Sequence, residues 1–148
     1  MAAETIWFNK NLAFEDLHLT HGTMGAFLQM EWTSLGIDHV SMRMPVDERT
    51  MQPYGILHGG ASCALAETLG SVASWLVLDT EKFYCVGLEI NANHVRSAKQ
   101  GYVTATARPL HMGKSTHVWD IRIADDDGRL VCVSRLTVAI MAYQKTPA

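Results

Sequence analysis

Residues 61–78, ASCALAETLGSVASWLVL, contain one carboxylate, Glu67, and no Lys, Arg or His. The run is long enough for about five turns of α-helix. It is apolar or small on nearly every side, so other parts of the chain must cover it. Glu67 has no charged partner within the run, and burying an ionised carboxylate costs several kcal/mol or drives its pKa upward. Either Glu67 lies on a solvated stripe or it is used. The residues three and four positions away share its face. They are Cys63, Ala64, Gly70 and Ser71, none of them charged, a combination that describes a narrow cleft holding a carboxylate and a hydroxyl.

Upstream, Pro53, Gly55, Gly59 and Gly60 mark residues 46–60 as a loop that feeds this helix. Before the loop, residues 30–35 and 40–44 read as strands, the second with Val40, Met42 and Met44 alternating with polar residues. Residues 12–19 and 23–28 read as short helices, with Gly22 as a break and Thr23 as an N-cap. Residues 1–11 are expected to be a loosely ordered lead-in to a single domain spanning residues 1–148.

Downstream of the helix the period changes to two. Tyr84, Val86, Leu88 and Ile90 are expected on one side of a strand that runs toward Val95. A turn at 97–101 follows, then a strand with Val103, Ala105 and Ala107 that ends at Pro109, and a turn at Met112–Gly113. Val118, Trp119, Ile121 and Ile123 mark another strand, Asp125–Gly128 a hairpin turn, and residues 130–142 the last strand. The turns are too short for parallel crossovers, so the fold class is α+β: one long central helix wrapped by a curved antiparallel sheet of about five to six strands.

Composition narrows the possible partners. A chain of 148 residues with 48% hydrophobic and 18% charged residues is a folded domain, and a formal charge of −3 leaves no basic excess for nucleic acid. Any bound anion needs a local basic patch. Cys63, Cys85 and Cys132 are odd in number and lack CxxC spacing, which argues against a disulfide framework or a thiolate zinc site and for a reducing compartment. Glu4, Lys10, Glu15 and Asp16 interrupt any signal-peptide core, pointing to a cytoplasmic protein, and Glu67 and Gly70 argue against a membrane span. The histidines form no HxxxH pair, so no metal is expected.

Five segments carry a family likeness: Met44-Pro-Val-Asp47, Gln52-Pro-Tyr-Gly-Ile-Leu-His-Gly-Gly-Ala-Ser62, Leu65-Ala-Glu-Thr-Leu-Gly-Ser71, Gly87-Leu-Glu-Ile-Asn-Ala-Asn-His-Val-Arg-Ser-Ala98 and Pro109-Leu-His-Met-Gly113. In this order they resemble the hotdog-fold acyl-CoA thioesterases, over about residues 12–141. The likeness is strongest to the bacterial 1,4-dihydroxy-2-naphthoyl-CoA thioesterase group and its carrier-protein proofreading paralogues. It implies a hotdog fold and hydrolysis of an aryl- or acyl-CoA thioester, with CoA as part of the substrate and no cofactor. Glu67 would be the catalytic carboxylate, either attacking to form a mixed anhydride or acting as general base on water. Gly59 would polarise the carbonyl through its N–H, Gln52 and His58 would orient the thioester or water, and Ser71 would bond near the carboxylate or leaving thiol. The substrate-binding set would comprise Gly60, Thr68, Gly87, His94, Val95, Arg96 and Ser97, together with His111, Met112, Gly113, Lys114, Ser115 and Thr116.

The residues themselves support part of this chemistry. Thioester hydrolysis needs a nucleophile or activated water, donors for a developing oxyanion, and release of a thiolate. Gly59 and Gly60 stand at the helix entrance, where N–H groups lack intrahelical partners. Without a Cβ they also admit a close oxygen. Losing one such donor typically costs about 3–4 kcal/mol of barrier. Gly59 and Glu67 are eight positions apart, roughly 12 Å along one helix, whereas a reacting carbonyl must lie about 3 Å from both. Two antiparallel helices across a two-fold axis satisfy this, with Gln52, His58 and Gly59 from one subunit and Glu67 and Ser71 from the other. The resemblance agrees, implying a dimer and commonly a dimer of dimers. Two other functions use the same cleft: a non-catalytic acyl-CoA sensor and a hotdog hydratase or dehydratase.

Overall fold

The computed structural model describes residues 4–144. A 3-10 turn at Phe14–Asp16 and helix α1, Met24–Phe27, precede strands β1, Glu31–Leu35, and β2, Val40–Pro45. A small hairpin of β3, Met51–Gln52, and β4, Ile56–Leu57, delivers the chain to helix α2, Gly59–Val77. Four long strands follow: β5, Phe83–His94; β6, Tyr102–Met112; β7, Thr116–Asp125; and β8, Leu130–Ala142. Six strands make one antiparallel sheet in the order β1-β2-β6-β7-β8-β5, with β3 and β4 apart as their own pair.

The alternation read in the sequence places the core. Val40, Met42 and Met44 on β2, Val103, Ala105 and Ala107 on β6, and Ile121 and Ile123 on β7 are buried against the face of α2 that presents Leu65, Ala66, Leu69 and Ala73. Each fully buried Leu is worth about 1.5–3 kcal/mol relative to exposure. Gly70 sets how close helix and sheet approach. A Cβ there would lie 2.6 Å from Leu136 and 2.9 Å from Ile121. A polar clasp holds the same interface one turn later, where the Ser74 hydroxyl accepts from Trp119 Nε1 at 2.7 Å and lies 3.2 Å from His117 Nδ1. Burial pushes the His117 pKa down, helped by nearby His111, and keeps the ring neutral. No described helix is long and apolar enough to cross a membrane.

Several expectations need correction. Residues 46–60 are more ordered than a loop: β3 pairs with β4, His58 N donates to Thr50 O at 2.8 Å, and α2 begins at Gly59 instead of Ala61. Of residues 12–19 only Phe14–Asp16 are helical, whereas α1 starts as read, with Thr23 accepting from Ala26 N. Residues 4–11, expected to be loose, are anchored. Trp7 is 1% exposed and its Nε1 donates to Gly36 O at 2.7 Å, while Ile6 N donates to Ile37 O and Phe8 N to Leu76 O. Residues 1–3 of that segment lie outside the described residues. Strand β6 does not stop at Pro109; a register shift between Pro109 and His111 absorbs the missing N–H and pairing resumes to Met112.

β5 departs furthest from the simple alternation expected of it. A bulge between Gly87 and Glu89 interrupts its pairing with β8. Phe83, Cys85, Ile90 and Ala92 pack toward the core, while Tyr84, Val86 and Leu88 are exposed. One extra residue inverts the sidedness of everything beyond it, so Ile90 does not share a side with Leu88. β5 is also a sheet edge, bonded only to β8. Its outward apolar stripe, with Val86 49% and Leu88 67% exposed, is a surface that an isolated chain leaves uncovered.

Candidate active site

The entrance of α2 forms the first half of the site. His58 is the N-cap, and its Nδ1 accepts from Gly60 N at 2.8 Å. With Nδ1 accepting, the neutral ring carries its proton on Nε2 and can donate it. Gly59 N–H has no acceptor among the described residues. Gln52 Oε1 accepts from Tyr54 N at 2.7 Å, which leaves the Gln52 amide NH2 free to donate. Gln52, His58 and Gly59 line a cleft of about 540 Å³ with Ser62, His94, Val95, Arg96 and Ser97. The Val95 and Arg96 backbone N–H groups both donate to Val131 O, which fixes the chain that presents Arg96.

Gly59 is not open space for an incoming oxygen on its Cβ side. A Cβ would lie 2.7 Å from His94 Nε2, so the histidine ring fills that volume. Ser62, one turn into the helix and 1% exposed, has a hydroxyl without a partner in the described structure. Sequence reasoning missed it, although its three-residue spacing from Gly59 places both on one helix face.

Glu67 lies two turns further along, half-buried and facing β5. A Cβ on Gly87 would meet its Oε1 at 1.9 Å. Glu67 makes no hydrogen bond or ion pair among the described residues, and burial pushes its pKa above the ordinary carboxylate range. Ser71, one turn on, accepts at its carbonyl from Cys85 Sγ at 3.6 Å. Burial raises the Cys85 thiol pKa, so this group is a packed neutral thiol. The Thr68 methyl points to α1, 3.6 Å from where a Gly25 Cβ would be.

The third set lies at the opposite end of α2. Met112, Gly113 and Lys114 line a cleft of about 620 Å³ with Val77, Phe83 and His117. Gly113 N donates to Thr116 O at 2.9 Å, closing the turn between β6 and β7, and Ile140 N of β8 donates to Ser115 O at 2.9 Å, tying that turn to the neighbouring strand. His111 Nε2 would be 2.5 Å from a Gly113 Cβ. Arg96 and Lys114 are both exposed and carry no carboxylate partner among the described residues. One chain therefore gathers Gln52, His58 and Gly59 with His94–Ser97, gathers Glu67 with Gly87 and Ser71, and holds His111–Thr116 apart from both.

Comparison with known proteins gives this arrangement a family. Residues 54–132 match the model of the thioesterase superfamily. The chain is 50% identical over 137 residues to the 1,4-dihydroxy-2-naphthoyl-CoA hydrolase of Escherichia coli, covering 92% of this chain and 99% of that one. It is 48% identical over 138 residues to the proofreading thioesterase EntH of Cronobacter turicensis, covering 92% and 98%. A thioesterase crystal structure from Haemophilus influenzae superposes with a TM-score of 0.89 at 43% identity, covering 97% of this chain and all of that one. The order of strands around one long helix is thus shared along with the sequence, and the chain belongs to the thioesterase superfamily as a hotdog-fold thioester hydrolase.

Proposed function

We propose that the chain hydrolyses an aryl- or acyl-CoA thioester at sites shared between two subunits, with Glu67 as the catalytic carboxylate. The observation that carries this reading is the state of Glu67: half-buried, raised in pKa, and free of any hydrogen-bonding or ionic partner among the described residues. A carboxylate kept in that condition is a stronger base than a solvated one and has both lone-pair faces available. The free Gly59 N–H and the Nε2–H of His58 are the donors for the developing oxyanion. The Gln52 NH2 orients the thioester or the water, and the Ser71 hydroxyl lies on the same helix face as Glu67, one turn away.

Two routes are balanced with these groups. In one, a Glu67 oxygen bonds to the carbonyl carbon, the tetrahedral oxyanion collapses, and the C–S bond breaks to release CoA thiolate, which takes up a proton. Water then cleaves the resulting mixed anhydride. In the other, Glu67 takes a proton from water as the water attacks, and passes it to the departing sulfur. Single turnover in heavy-oxygen water with enzyme in excess tests the first route: label in Glu67 with an unlabelled product acid supports an anhydride opened at Glu67, and label in the product acid alone supports attack of water on the acyl carbon.

The phosphates of CoA require cations, and Arg96 and Lys114, without a carboxylate partner among the described residues, supply them from exposed positions. The exposed β5 stripe supports pairing of two subunits by their sheet edges. A dimer of dimers is the assembly that the family likeness adds, in a cytoplasmic setting. A panel of aromatic and aliphatic thioesters of CoA and of carrier protein, assayed for free thiol, tests the function and ranks the acyl groups. Turnover of at least one CoA ester that falls about 1,000-fold or more in Glu67→Gln is the expected result, a size appropriate for removing a general base or nucleophile. Tight binding of these esters without thiol release would overturn it.

A further inference from the structure

We infer that Gly87 is a positioning residue for Glu67: its missing side chain is the space in which the carboxylate is held. This inference rests on the reading of Glu67 as the catalytic carboxylate. The resemblance assigns Gly87 to CoA binding, but within the chain the volume above Gly87 is already taken. A Cβ there would lie 1.9 Å from Glu67 Oε1, 3.0 Å from its Cδ and 3.5 Å from Oε2. All three nearest atoms belong to this one carboxylate.

The register of helix and strand explains why this position faces Glu67. Ser71 O meets Cys85 Sγ and Glu67 meets Gly87, so four residues along α2 correspond to two residues of β5 taken in the opposite direction. That is about 6 Å of helix against about 6.8 Å of antiparallel strand, close enough for the two contacts to repeat in step. Cys85 and Gly87 lie on the same side of the pleat because the bulge falls after Gly87, between it and Glu89. Were Val86 the extra residue instead, Gly87 would oppose Ala139 and face outward, and a different residue would be presented to the carboxylate.

The glycine is needed for space and not for backbone conformation. Its φ is outside the left-handed region occupied by Gly22, Gly55, Gly101 and Gly128. An alanine is therefore compatible with the strand, and the group that must yield is the far end of a flexible side chain. To reach ordinary contact the carboxylate oxygen must retreat by about 1.5 Å, and displacements of about 1 Å at a reacting group cost on the order of 100-fold in rate.

The test is Gly87→Ala, measured with a CoA ester that the wild-type enzyme turns over. The expected result is a folded protein of unchanged oligomeric mass with kcat lower by about 100-fold and KM within about two-fold of wild type, the pattern of an interaction made only in the transition state. The acid limb of the kcat–pH profile moves to lower pH, because a carboxylate pushed from its apolar cradle loses the burial that raised its pKa. Gly87 acting by close approach of CoA predicts the reverse split, with KM raised and kcat unchanged, and that outcome overturns the inference.

A thermal-stability cycle reads the contact without activity. Gly87→Ala should lower Tm in the Glu67 background and do so distinctly less in Glu67→Ala, where no carboxylate remains to collide. Equal losses in both backgrounds overturn the proposal, as does a double variant that fails to fold where Glu67→Ala alone folds. If Glu67→Gln proves fully active, the catalytic reading of Glu67 fails while the stability cycle still decides whether Gly87 holds the side chain.

Discussion

Complementation between two inactive subunits tests the division of the site most directly. One variant, Glu67→Gln, removes the carboxylate. The other, Gln52→Ala/His58→Asn, removes the side-chain donors at the helix entrance while Asn keeps a cap for Gly60 N, which His58 Nδ1 now holds at 2.8 Å. The magnitude follows from the helix. Gly59 and Glu67 both lie in α2, and eight residues of rise separate them by roughly 12 Å. A thioester carbon can be about 3 Å from each only if they come from different chains. Co-expressed in equal amounts, the variants distribute so that about half of the dimers are mixed, and each mixed dimer restores one of its two sites. Activity should therefore return to about a quarter of the wild-type rate in the mixture, and to about half in mixed dimers purified through two different tags. Both parents, assayed alone by thiol release, stay far below that. A mixture no more active than the sum of its parents would refute the shared site and require one chain to bend a substrate across two helical turns.

The exposed stripe of β5 and the clasp on α2 give further predictions. Leu88→Lys places a charge on the 67% exposed edge position and should convert the assembly to monomers of unchanged secondary structure with activity lost. Light scattering that shows unaltered mass would disprove edge pairing at this stripe. Ser74→Ala leaves Trp119 Nε1 and His117 Nδ1 without their shared partner. Two buried groups left unsatisfied should cost about 2–4 kcal/mol, a drop of roughly 5–12 °C in Tm at this chain length, with KM unchanged. A Tm within a degree or so of wild type would show that the hydroxyl holds nothing.

Much of the architecture was readable because its periods are physical necessities. Met42 and Met44 on β2, Ala105 and Ala107 on β6, and Ile121 and Ile123 on β7 alternate because one face of the sheet meets α2, and the uncharged surroundings of Glu67 marked its face of the helix. What failed was sidedness on β5. Tyr84, Val86 and Leu88 alternate as cleanly as any core strand, yet they are exposed in the chain. Alternation reports that one side is apolar and cannot tell a core from an interface with a second copy. The bulge after Gly87 has no short sequence signal either, since its cause is the fit of β5 to both β8 and α2.

A glycine in a sequence does not say what will stand beside it. Missing side chains at Gly59, Gly87 and Gly113 suggest close approach by a ligand, but each volume is filled from within the chain: by His94 Nε2, Glu67 Oε1 and His111 Nε2 respectively. Such pairings lie from 2 to 35 residues apart in the sequence, and only the packing of α2 against β5 brings the distant ones together. The chemistry of the pattern is consistent. Each filled volume holds a titratable side chain that a β-carbon would push toward solvent or out of line, so these glycines set where a carboxylate and two imidazoles can be. Substitution at any of the three should therefore act first through the side chain it displaces. For Gly59 that means His94 moves away from the helix entrance, which under the proposed function would couple the oxyanion donor to the segment that presents Arg96.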